Sequence, residues 1–208
     1  MHQFSKMKII KKFVLIISFI FLPLGSGLHA GENQAAVSVV DSLHQALIKA
    51  MQTPENFSER YAQLSPVIEN TFDTPVIARV ILSRYWNDLD ETQQSAFIER
   101  FDDLSISNYA SKFDDFGGEK FRLLGQQELK KGRLVIKTEL VKPDGEAVRF
   151  DYILHEREGK WLIISVIADG VNDLSLKRSE YGTIMENDGF DVLLAEIDKK
   201  IQALKASE

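Results

Sequence analysis

The first half of the chain carries apolar residues every three or four positions, which is the spacing of one helix face. Val40, Leu43, Leu47 and Met51 keep this spacing and predict a helix that ends near Thr53-Pro54. A second helix is predicted after it, with apolar residues at Phe57, Tyr61, Leu64 and Ile68.

Capping motifs predict where further helices begin. Ser65-Pro66 and Thr74-Pro75 each place a hydroxyl side chain before a proline, the favoured order at a helix start. Asp90 and Gln93 have the spacing of a capping box, which satisfies two backbone N–H groups at the start of a long helix. That helix carries bulky side chains at Phe97, Phe101, Leu104, Tyr109 and Phe113.

After Gly117-Gly118 the apolar period changes to alternation, which indicates strands. Pro143-Asp144-Gly145 and Glu158-Gly159 supply turns, so we predict a four-stranded antiparallel meander. Its last strand is apolar on both faces, and both sides of it must therefore be covered. The predicted strands are 121–128, 134–140, 148–154 and 161–168.

Helices return at the carboxyl end. Asp173 is predicted to cap a helix that Gly189 ends, and an apolar helical stripe follows over 190–204. The order of helices, sheet and helices predicts an α+β domain, with helices wrapped around one curved four-stranded antiparallel sheet. Such a sheet can enclose an apolar pocket.

Residues 1–30 have the composition of a secretory signal peptide. Four lysines precede an apolar stretch from Phe13 to Leu24, and small residues follow up to Ala30. The stretch is shorter than the roughly twenty residues that span a bilayer. This favours cleavage near Ala30 over a retained N-terminal anchor and leaves 31–208 as a single domain.

Composition narrows the class of function. None of the 208 residues is cysteine, which excludes disulfides, thiolate nucleophiles and thiolate metal sites. Removing the four lysines of the predicted signal leaves 21 basic and 31 acidic residues. This balance argues against binding to nucleic acid or to anionic lipid surfaces. Export without disulfides is typical of a bacterial periplasm.

Candidate catalytic groups are few. His44 and His155 show no zinc-ligand spacing, and we interpret both as polar edge positions. Asp102-Asp103 and Asp114-Asp115 are interpreted as solvated faces, because adjacent helical residues point about 100° apart. No phosphate loop, dinucleotide fingerprint or nucleophile elbow occurs. We therefore expect no catalytic residue, no metal and no cofactor.

Four stretches occur in an order that resembles one family. Together they resemble the MlaC (toluene-tolerance) family of periplasmic phospholipid-binding proteins, over about residues 36–205. Leu176-Lys177-Arg178-Ser179 replaces the family's usual Asn-Tyr-Arg-Ser run and resembles its hopanoid-associated HpnM branch, so the identity of the lipid stays open. The four stretches are Phe72-Asp73-Thr74-Pro75-Val76-Ile77-Ala78, Trp86-Asn87-Asp88-Leu89, Asn108-Tyr109-Ala110, and 161–171 running into 174–181.

The resemblance implies a fold of nuclear-transport-factor type and a lipid carrier. The carrier would shield the acyl tails of a phospholipid, or of a related lipid such as a hopanoid, and shuttle it between the outer and inner membranes. An outer-membrane lipoprotein complex and the lipid-binding subunit of an inner-membrane ABC transporter would be its partners. Exposing two tails of about sixteen carbons each to water costs roughly 25 kcal/mol, so a lipid needs such a carrier.

The expected pocket wall combines one face of each of the last two strands with the helix side chains that approach it. Arg178 is expected to be partly buried. It either pairs with Asp169 or Asp173, or binds a lipid phosphate at the pocket mouth. The expected lipid contacts are Phe97, Phe101, Tyr109, Phe150, Tyr152, Leu154, Trp161, Ile163, Ile167 and Tyr181.

Two other functions stay open. A small-molecule enzyme on the same type of fold would need a carboxylate or histidine inside the cavity, whereas Asp151 and Glu139 lie on the polar side of their strands. A periplasmic adaptor would bind another protein through the stripe 190–204.

We expect export to remove the amino-terminal segment. N-terminal sequencing of protein from the periplasmic fraction should begin within a few residues of Gly31. Recovery of intact Met1 in a membrane fraction would show instead that the segment is a retained anchor.

Overall fold

The computed structural model describes residues 27–53 and 56–206, with side chains from Asn33 onward. The predicted signal segment 1–30 lies almost entirely outside these residues and stays a prediction. The described helices are α1 (Gly27–Met51), α2 (Phe57–Thr71), α3 (Thr74–Leu82), α4 (Glu91–Lys112), α5 (Asp173–Asn187) and α6 (Phe190–Lys205), with a 3₁₀ turn at Ser83–Asp88.

Local signals set most helix boundaries. The capping box is confirmed: Asp90 accepts from the Gln93 N–H at 2.8 Å, and the Gln93 side chain accepts from the Asp90 N–H at 3.1 Å. The caps of α3 and α5 are Asp73 and Asn172, each one residue before the predicted cap. A carboxylate or amide in these positions reaches the third N–H of the helix.

The predicted helix start at Ser65-Pro66 is wrong, because α2 continues through Pro66. Proline removes one backbone hydrogen bond from a helix interior. The buried stripe of Phe57, Leu64 and Ile68 runs along the whole helix and keeps it continuous. Burial of this stripe outweighs the local signal.

The sheet is antiparallel throughout and has the strand order β1-β2-β3-β4-β5. The predicted meander is confirmed, and a two-residue strand is added to it, too short to be read from alternation. The strands are β1 (Lys120–Leu129), β2 (Arg133–Val141), β3 (Ala147–Arg157), β4 (Lys160–Ala168) and β5 (Val171–Asn172).

A bulge in β4 changes which residues share a face. Leu154 pairs with Ile163 and Ile153 pairs with Ser165, so Ile164 is the extra residue. An extra residue inverts the alternation beyond it. We call the face that bears Phe150, Tyr152 and Leu154 the inner face.

The bulge overturns one part of the predicted pocket wall. Ile163 lies on the inner face, opposite Leu154, but Ile167 pairs with Asp151 and lies on the other face. Val166 and Ala168 take its place on the inner face, opposite Tyr152 and Phe150.

Two separate apolar cores fill the domain. One lies between the sheet, α1 and α2, and includes Leu47 and Leu154. The other lies among α3, α4, α5 and α6, and includes Phe97 and Leu193. The stripe 190–204, considered above as a surface for another protein, thus buries Leu193, Ile197 and Ile201 inside its own domain.

A buried carboxylate joins the helices to the sheet. Asp73 Oδ1 accepts from the Val76 N–H at 3.3 Å and from Arg157 Nη1 at 2.8 Å. Its Oδ2 lies 2.8 Å from His155 Nε2, and its own N–H donates to the Ile163 carbonyl at 2.9 Å. These bonds fix the start of α3 against the ends of β3 and β4.

Asp73→Asn should destabilise the protein strongly, because it leaves two basic groups facing a neutral amide. Arg157 is 45% exposed and keeps part of its hydration, so the expected loss is that of hydrogen bonds to a buried carboxylate, about 2 kcal/mol. Asp151→Asn breaks the solvent-exposed pair with Arg149 and should cost less than about 1 kcal/mol. Denaturant unfolding of both variants measures the difference, and equal losses would contradict the role of Asp73.

His44 is buried rather than at a polar edge. Its Nε2 lies 3.1 Å from the hydroxyl of Tyr152, and its ring stacks on Phe121 with centroids 3.7 Å apart. Burial lowers the pKa of His44 from 6.5 to about 4. The polar group is tolerated because Tyr152, on the inner face of the sheet, supplies its partner.

His44→Gln should flatten the dependence of stability on pH. Unfolded His44 titrates near pH 6.5 and folded His44 near 4, so the unfolded chain binds more protons between these values. The contribution of His44 to the free energy of unfolding is fully present above pH 6.5, and up to about 3 kcal/mol of it is lost as the pH falls to 4. The difference between wild-type and variant unfolding free energies over pH 4–7 measures it, and parallel curves would contradict it.

Candidate functional site

A cavity of about 900 Å³ lies between the two cores. It is bounded by α3, α4, the start of α5 and the inner face of the sheet. Its volume is at the upper end of the roughly 300–1,000 Å³ range of small-molecule sites. The apolar part of the wall includes Ile77, Ile81, Phe101, Phe113, Phe150 and Val166.

The inner face of the sheet is divided along the strands. The end that carries Leu134, Leu154 and Ile163 is covered in the core formed with α1 and α2. The opposite end, where β2 finishes and β3 begins, lines the cavity. Residues on the same strand face therefore lie either in the core or in the cavity wall, depending on their position along the strand.

The cavity opens at a mouth lined by charged side chains. Lys142 pairs there with Glu146 at 3.0 Å, and Lys177 pairs with Asp173 at 3.3 Å. Lys112 makes no ion pair with any described residue. The other charged residues of the mouth are Asp114, Asp115 and Glu119.

Two apolar side chains stand exposed beside these charges. Val171 and Leu176 are 53% and 58% exposed, and both line the cavity. An exposed apolar pair at the edge of an apolar cavity extends its surface towards solvent.

Helix α4 supplies a graded wall. Phe101, Ser105, Asn108 and Lys112 recur at the spacing of one helix face, and all four line the cavity, as does Tyr109. The wall therefore changes from apolar through neutral polar to charged as α4 approaches the mouth.

The structure brings three of the predicted contacts into the cavity wall: Phe101, Tyr109 and Phe150. Phe97 and Tyr181 lie in the core among α3–α6. Ile167 lies on the other face, as described above. Tyr152, Leu154, Ile163 and Trp161 lie in or against the core between the sheet, α1 and α2. The predicted residues of strand β3 share the inner face, but only Phe150 lies at the end of that face that lines the cavity.

The sequence predicted that Arg178 is partly buried, and this prediction is wrong. It is exposed on α5 and donates to Ser83 Oγ at 3.0 Å. Asp169 instead accepts from the Arg149 N–H, and Asp173 pairs with Lys177. The α5 register turns Lys177, rather than Arg178, towards the mouth.

The sequence analysis did not predict several residues of the cavity wall, although the spacing of some of them could have identified them. Ser105, Asn108 and Lys112 follow from Phe101 by helix spacing, and Val148 follows from Phe150 by strand alternation. The charged mouth had no such signal, because its residues come from different elements that are distant in the sequence.

Burial changes the pKa of two groups in or beside the cavity wall. Burial, with a smaller effect of Asp173, raises the pKa of the Tyr109 phenol. Burial also raises the pKa of Asp102, whose carboxylate accepts from Thr74 Oγ1 at 2.5 Å. Among the described residues there is no group of three or more potential metal ligands. The described helices also include none long and apolar enough to cross a membrane.

A solved structure shares this architecture. It is described as the phospholipid-binding protein from Ralstonia solanacearum in complex with a phospholipid. The two chains superpose with a TM-score of 0.72 at 16% sequence identity, and the match covers 82% of this chain and 98% of that one. At this identity the likeness shows a common fold.

The family comparison covers most of the chain. The model of the family described as MlaC protein matches residues 38–199, which include every described strand and all of α2–α5. The chain belongs to the MlaC family.

Proposed function

We propose that this protein is a phospholipid-binding carrier that holds acyl tails in the cavity and leaves the headgroup at the charged mouth. The main support for this proposal is the graded wall of the cavity, which is apolar inside and charged at its opening. A phospholipid has the same order of apolar tails, polar glycerol esters and charged phosphate.

Energetics support this occupant. Each methylene moved from water into an apolar site contributes about 0.8 kcal/mol. Two polar groups of the wall are satisfied within the protein: Thr74 donates to Asp102, and Asn108 donates to the Leu104 carbonyl at 2.8 Å. Tails would thus enter without stripping these groups of their partners.

Membership of the MlaC family and the phospholipid complex of the Ralstonia protein support the same ligand class. From the family we further propose a periplasmic location after signal cleavage and transport between the two membranes. Its partners would be an outer-membrane lipoprotein complex and the lipid-binding subunit of an inner-membrane ABC transporter. Exposed Val171 and Leu176 offer a surface over which tails could leave the cavity.

Phe150→Asp should abolish lipid binding while leaving a folded protein. The carboxylate would stand in the cavity wall without a partner, which should weaken tail binding by at least about tenfold. Mass spectrometry of lipids co-purifying from the native host measures the loss and distinguishes phospholipids from hopanoids.

Ile153→Asp is the matched control, since Ile153 is similarly half-buried on the same strand but lies on the opposite face. It should retain lipid. Equal lipid content in the two variants, with circular dichroism showing both folded, would contradict binding in this cavity. An empty wild-type protein that converts a small molecule would favour the enzyme alternative.

A further inference from the structure

Tyr109 places a hydroxyl without a protein partner beside the cavity. Its ring lies between Phe72 and Phe113, with centroid distances of 6.0 Å and 5.8 Å. The ring is thereby fixed in the wall. Its hydroxyl makes no hydrogen bond with any described residue, and Tyr109 lines the cavity, so this donor is available to a molecule in the cavity.

Two polar neighbours of Tyr109 bond to other residues. The hydroxyl of Tyr152 lies 3.1 Å from His44 Nε2 and Asp173 pairs with Lys177, and neither makes a hydrogen bond to the Tyr109 hydroxyl. Because enclosure and Asp173 raise its pKa, the phenol stays protonated and can act as a donor at neutral pH. An acceptor on a ligand in the cavity would complete the hydrogen bonding of this hydroxyl.

The position of Tyr109 along α4 identifies that acceptor. It lies three residues before Lys112, and therefore about 4.5 Å further from the mouth along the axis of α4. It lies eight residues after Phe101, in the polar zone of the graded wall. In a phospholipid, the groups just below the phosphate and above the tails are the ester carbonyls.

We propose that the Tyr109 hydroxyl donates a hydrogen bond to an acyl ester carbonyl of the bound phospholipid, and so selects ester-linked over ether-linked lipids. This inference rests on the proposed function. Ester carbonyls accept a hydrogen bond in the required position, whereas an ether-linked lipid of equal chain length has no carbonyl there. Tyr109 is thus a specificity-determining residue of the site.

Tyr181 provides a matched control. Its hydroxyl is fully buried without a partner and lies in the core among α3–α6, whereas Tyr109 lines the cavity. Tyr181→Phe removes the same atom as Tyr109→Phe and tests the effect of losing any buried phenol hydroxyl.

The experiment incubates each protein with vesicles containing equal amounts of a diester phosphatidylglycerol and its diether analogue of the same chain length. Native mass spectrometry then gives the ratio of the two lipids retained. Wild type and Tyr181→Phe should retain the diester about three- to tenfold over the diether, the value of one hydrogen bond. Tyr109→Phe should retain both about equally, through loss of diester with diether uptake unchanged.

A wild-type ratio near one, or an unchanged ratio in Tyr109→Phe, would overturn the inference while leaving the carrier function intact. A loss of diester preference in Tyr181→Phe as large as that in Tyr109→Phe would also overturn it. Wild-type protein that takes up neither lipid would overturn the proposed function itself.

Discussion

The buried carboxylate of Asp73 is the interaction on which the arrangement of helices and sheet depends. It caps α3, accepts from Arg157 and lies against His155, so one fully enclosed charge is bound by groups from two parts of the domain. A carboxylate in this position is tolerable only while all these partners are present. Because α3 forms one wall of the cavity, the same bonds hold that wall at a fixed distance from the sheet.

This separation explains how an apolar cavity persists in a well-packed domain. Apolar surfaces normally pack against each other, but here each of the two cores buries its own apolar side chains. Leu47 and Leu154 pack with α1 and α2, and Phe97 and Leu193 pack among the helices. The helices that bound the cavity are fixed from behind by these cores. Closing the cavity would require moving side chains out of these packed cores, which costs free energy.

The site performs its proposed task through the order of its surfaces rather than through reactive groups. Along α4 the wall passes from Phe101 through Tyr109 to Lys112, and exposed Val171 and Leu176 continue the apolar surface outward. Tail burial supplies non-directional affinity. The hydroxyl of Tyr109 then adds a directional hydrogen bond, for which the ligand needs to provide only one acceptor.

Features set by neighbours in the chain were determined by the sequence alone. These include the Asp90–Gln93 capping box, the alternation over 148–154, the α+β order and, through four short stretches, the family. Features set by distant pairing were decided only by the tertiary structure. The bulge at Ile164 moved Ile167 to the other face, and the α1–α2 core covered one end of the strands, so that Leu154 and Ile163 left the predicted wall. Local periodicity indicates which residues share a face. Strand register, and which elements pack over that face, depend on contacts with residues far along the chain, and local patterns in a single sequence do not specify these contacts.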